Sequence, residues 1–86
     1  MDGRQFMHHD ARGQRGPYTA RRAEGPWFAM VPEGLEITPE EWTQISSRRM
    51  WDPMPAHLAW ASERSLREGL RPGLRGPVGW TPVDAA

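Results

Sequence analysis

At 86 residues with no cysteine, the chain has room for one small domain and no second, and it can carry neither a disulfide nor a thiolate zinc site. Eleven basic residues, all of them arginine, balance eleven acidic ones, so no bulk charge draws the chain to nucleic acid or to an anionic membrane. No run approaches the ~18 apolar residues of a membrane-spanning helix, and "MDGRQFMHHD" has no apolar stretch after its charges, so the expected compartment is the cytoplasm.

The first third reads as strands broken by turns. "RQFMHH" (4–9) and "PYTARR" (17–22) flank "DARGQRG", whose Asp and two Gly suit a hairpin loop. "EGP" (24–26) then turns the chain into "WFAMV" (27–31), the most strand-like run of all. "PEG" (32–34) closes this antiparallel meander, and "LEI" after it has the composition of a short further strand.

In "ITPEEW" the spacing predicts a helix over 39–50. Thr38 is placed as N-cap, Pro39 as first helical residue, and Glu41 as the reciprocal partner of a capping box. Ile37 and Trp42 are spaced as a hydrophobic staple, Glu40 and Glu41 fall in the first turn, and Arg48 and Arg49 are expected in the last. "WDPMPAHL" interrupts, since residues before proline avoid helical angles, and a second helix is expected from Pro53 or Pro55 to about Leu70. Helical spacing gives it a core face of Leu58, Ala61, Ser62, Ser65, Leu66 and Gly69. The remainder, 71–86, is rich in Pro and Gly without periodicity and reads as an extended tail, on which Val78, Trp80 and Val83 could still lie down.

The expected fold class is therefore α+β: a three-stranded antiparallel meander, two helices on one face, and an extended Pro/Gly-rich tail. Residues 1–70 form the compact domain and 71–86 the tail. Leu, Ile, Val and Phe supply only 12 of 86 residues, while five Trp and five Met add bulk. A core of a few large side chains is expected, because each Trp buries roughly 150–250 Å².

The search for chemistry is largely negative. His8 and His9 are adjacent on a predicted strand and point to opposite faces, and His57 lies far away in sequence, so no metal site is expected. The glycines of "GQRGPYT" and "GLRGPVGW" lack the helix and lysine of a phosphate loop. No nucleophile–base–acid order is visible among Ser46, Ser47, Ser62 and Ser65, so no catalysis and no cofactor are expected. What stands out is Trp60, Arg64, Arg67 and Arg71, which helical spacing would align on one stripe of the second helix. Trp beside Arg is the mixture enriched at protein interfaces. The same residues also fit a solvated face, with Glu63 paired to Arg67 and Glu68 to Arg64 or Arg71.

The functional expectation is a small non-catalytic protein-interaction module, a regulator, inhibitor or accessory subunit, docking on another protein through Trp60, Arg64, Arg67 and Arg71 with Trp51 and Trp80. The alternative is a nucleic-acid-binding module that uses the same surface with Arg21, Arg22, Arg48 and Arg49.

Overall fold

A computed structural model describes residues 1–48, 52–55 and 57–84. Its elements in chain order are β1 (Gln5–Asp10), β2 (Gly13–Arg22), β3 (Trp27–Pro32), α1 (Pro39–Ser46), β4 (Ala59–Ser62), α2 (Glu63–Glu68), β5 (Arg71–Gly73) and β6 (Gly76–Pro82). The strands form one antiparallel sheet in the order β4-β3-β2-β1-β6-β5, curled into a half-barrel.

The meander β1-β2-β3 exists, but as the middle of this sheet. Ala11 and Arg12 make the first turn, where the Asp10 carboxylate accepts the Arg12 N–H at 2.8 Å. The segment 13–16, expected in the loop, is already strand. The register then slips, because Phe6 faces Tyr18 whereas His8 faces Arg15, so Met7 opposes both Gly16 and Pro17. Gly16 takes φ +137° there, and a side chain would crowd the Met7 sulfur at 3.1 Å. A bulge is one of the few places where a sheet tolerates proline.

Alternation along the strands divides the side chains between two faces. On the inner face Phe6, Ala20, Phe28, Met30, Ala61 and Trp80 meet Leu66 of α2 in the core. On the outer face Ala29 and Val31 are also buried. Arg21, paired with Ala29, lays its guanidinium 3.9 Å from the Trp42 ring, which puts α1 on that side. Coverage on both faces explains why "WFAMV" is continuously apolar rather than alternating.

The capping box of α1 forms as predicted: the Glu41 N–H donates to Thr38 Oγ1, and the Thr38 N–H donates to the Glu41 carboxylate. The helix is shorter than expected, ending at Ser46, so its last turn carries no basic residue. Arg48 instead donates to the Pro53 carbonyl, and Arg49 lies outside the described residues.

The expected fold class is corrected in its second half. Instead of a long second helix, residues 59–62 form β4, which puts Ala59 opposite Met30 and Ala61 opposite Phe28. Two alanines with high helix propensity are extended because the edge of β3 offers a ladder and the core offers room for small groups. Tertiary pairing overrides local preference. Only then does α2 begin, six residues capped by Ser62, whose hydroxyl accepts the Ser65 N–H at 3.0 Å.

The expected Pro/Gly-rich tail is corrected as well. Residues 71–82 make the β5–β6 hairpin, and β6 pairs with β1 from Phe6↔Pro82 to His9↔Gly79. The glycines serve this geometry: a Cβ on Gly79, at φ +143°, would stand 2.5 Å from the Gly69 carbonyl oxygen. The two strands and α2 can approach only because that position is bare.

Candidate functional site

The stripe expected on a second helix is divided between elements. Trp60 belongs to β4 opposite Ala29, on the outer face and half-buried, with its indole Nε1 buried and without a hydrogen-bond partner. Arg64 and Arg67 lie on α2, and Arg71 on β5. Because Leu66 of α2 enters the inner core, Trp60 and the arginines do not share one face. Trp80 is 5 % exposed and sits in the core against Tyr18 (ring centroids 5.3 Å) and His8 (4.4 Å), so it presents no docking surface. Trp51 lies outside the described residues.

The arginines carry local ion pairs. Arg64 Nε donates to Glu68 at 2.6 Å, Arg71 approaches the same carboxylate at 3.7 Å, and Glu63 takes Arg67 at 3.3 Å and Arg22 at 3.4 Å. The hydrogen bond from Arg64 holds the Glu68 carboxyl below its ordinary range and raises the guanidinium in turn. Arg64 remains 85 % exposed, so these pairs order the surface more than they stabilise it. Of the other arginines named for the alternative, Arg21 lies on Trp42 and Arg22 on Phe28, engaged separately on opposite faces of β2.

Beside the arginines lies a surface that the sequence reading missed. The turn Leu74-Arg75 joins β5 to β6, and the Leu74 side chain is fully exposed at its tip. Val78 on the same hairpin and Leu70 just before it are each 40 % exposed. An apolar hollow of about 450 Å³ is lined by Leu70, Arg71, Pro72, Gly73, Gly76 and Pro77, while Val78, paired with Arg71, lies on the face of the ladder opposite Pro72 and Pro77. Glu68, held by Arg64 and Arg71, ties the rim of this hollow to α2.

Pro72 and Pro77 face each other across the ladder. Neither has an N–H, so the pair occupies a site without ladder hydrogen bonds, where the lost donors cost nothing. The same prolines leave the hairpin poorly suited to pairing with an added strand. What it offers is side chains. The signal lay in the near-palindrome "PGLRGP": two glycines flanking two residues is hairpin spacing, and leucine in such a turn serves no local need.

The histidines diverge as alternation requires. His9 meets Thr81 Oγ1 at 2.6 Å, whereas His8 faces the inner side. Among the described residues no group of three His, Cys, Asp or Glu is placed to hold a metal, and no helix is long and apolar enough to cross a membrane. Comparison of the chain with protein-family models, curated proteins and solved structures found no match.

Proposed function

We propose that this chain is a small non-catalytic protein-interaction module, cytoplasmic and without cofactor, whose docking surface is the β5–β6 hairpin with the adjoining arginines of α2. The observation that carries the reading is Leu74, an apolar side chain held fully in solvent at the tip of a hairpin beside an apolar hollow. Contiguous exposed apolar surface rimmed by charge is the usual anatomy of a protein-binding patch. Leu70, Pro72, Pro77 and the Leu74 tip supply the apolar centre, and Arg64, Arg67 and Arg71 form a rim already ordered by Glu63 and Glu68. The mechanism is steric: the tip fills a pocket on the partner while the rim matches its carboxylates.

The test is affinity capture from native extract with wild type, Leu74→Asp and an Arg64→Ala, Arg67→Ala double variant. A stoichiometric protein should be retained by wild type, lost with Leu74→Asp and weakened by the double variant, while the circular dichroism of all three stays the same. Retention should survive a rise in salt, whereas a phosphate-driven complex would weaken steeply. Equal recovery by wild type and Leu74→Asp contradicts the proposal.

A further inference from the structure

A second concavity lies away from the hairpin, where the half-barrel opens. Inner-face alternation runs from the core outward through three strands: His8 follows Phe6 by two residues, and Tyr18 and Ala59 precede Ala20 and Ala61 by two. Leu66 of α2 fills the core beneath. Above it a cavity of about 580 Å³ is lined by His8, Arg15, Tyr18, Glu33 and His57, with Pro32, Leu35, Leu58 and Ala59 as apolar wall. That volume is in the range of small-ligand sites, and barrel mouths are a recurrent location for them.

Two opposite charges line this mouth without pairing to each other. Arg4 is paired with Asp84, Arg15 with Asp10, Arg22 and Arg67 with Glu63, and Arg64 and Arg71 with Glu68. Arg15 and Glu33 line one cavity, yet no ion pair joins them among the described residues. Arg15 NH2 donates to Asp10 Oδ2 at 2.5 Å and to His8 Nδ1 at 3.1 Å, which fixes the guanidinium, while its Nε and NH1 donors meet no partner among the described residues. The Glu33 carboxylate has no partner among the described residues either, while its backbone N–H is anchored to the Pro17 carbonyl at 2.9 Å. His57, the one described non-glycine residue at positive φ, +72°, also lines the cavity. Such a conformation costs about 1–3 kcal/mol and is found preferentially at functional positions.

A ligand bearing only a carboxylate would meet Arg15 but face the charge of Glu33, and a ligand bearing only an amine would meet the reverse. A ligand with both satisfies both walls. We propose that the mouth binds a small zwitterion of amino-acid or dipeptide size, its carboxylate on Arg15, its ammonium on Glu33, and its apolar side chain against Leu35 and Leu58. Charge-assisted hydrogen bonds at each end then fix the orientation, and the apolar wall selects the side chain.

The test uses the intact chain and four probes: L-leucine, leucyl-leucine, 4-methylpentanoate, which lacks the amine, and 3-methylbutylamine, which lacks the carboxylate. Amide resonances of Arg15, Tyr18, Glu33 and His57 are followed during titration. Leucine or its dipeptide should move them, and each one-charge analogue should bind at least about tenfold more weakly. Arg15→Gln and Glu33→Gln should each bring the zwitterion down to the level of the corresponding analogue. The analogue series on wild type stands by itself if either variant misfolds. Analogues that match the zwitterion, or mouth resonances unmoved at about 10 mM of every probe, would overturn the proposal.

Discussion

His8 shows how much a single position can carry. Because a guanidinium only donates, the contact from Arg15 makes His8 Nδ1 an acceptor and places the proton of the neutral ring on Nε2. Burial is the main cause that lowers the His8 pKa from its ordinary 6.5; Arg15 and His9 add to the shift and Asp10 opposes it. The folded state therefore binds fewer protons there than the unfolded chain, so the contribution of His8 to stability is complete above pH 6.5 and is lost as pH falls through the depressed folded value. The carboxyls of Asp10, Glu68 and Asp84 are also lowered, from ordinary values of 3.8, 4.5 and 3.8, so their losses come at more acid pH. Chemical unfolding between about pH 5 and 7 should show stability falling with acid, and His8→Gln should flatten that slope; an unchanged slope would remove His8 from the account. The sequence told that His8 and His9 diverge, since strand alternation is local. It could not tell that Arg15 would face His8, because the bulge at Gly16 and Pro17 sets that register.

At the scale of elements, legibility followed the range of the interactions. The N-terminus of α1 was readable to the residue because Thr38, Pro39 and Glu41 satisfy one another within a single turn. Thr38→Ala should cost about 1 kcal/mol, measured as a shift in unfolding midpoint without a change in its denaturant slope. β4 was unreadable for the opposite reason: Ala59, Ala61 and Ser62 are extended only because Met30, Phe28 and Trp27 lie opposite. The helical count did place Ala61 and Leu66 in the core, but they arrive there from a strand and from a helix. The ion pairs of α2 were legible at i, i+4 spacing, while the Trp60 stripe failed once residue 60 left the helix. The close approach at Gly79 belongs to this scale as well. Gly79→Ala should destabilise by more than the about 1 kcal/mol of an unstrained glycine replacement, since the new Cβ meets backbone at Gly69.

For the whole molecule, the decisive feature is a sheet that curls without closing. Its inner core rests on few side chains, with Phe6, Phe28 and Met30 the largest that are fully buried. Phe28→Ala should cost about 3–5 kcal/mol, a large share of the stability of so small a domain, and should lower its melting temperature sharply. Composition foretold a core of a few bulky groups, but it gave no hint that the Pro/Gly-rich end would complete the sheet. That end is both β6, with Trp80 buried in the core, and the exposed tip at Leu74. One hairpin thus holds the fold together on one side and carries the proposed docking surface on the other.

The most direct measurement of that claim places a photo-crosslinking residue at position 74 and, as control, at position 12, the corresponding tip of the β1–β2 hairpin. Irradiation in native extract should join position 74 to one discrete protein and leave position 12 without a product. The same products from both tips, or none from 74, would contradict the account.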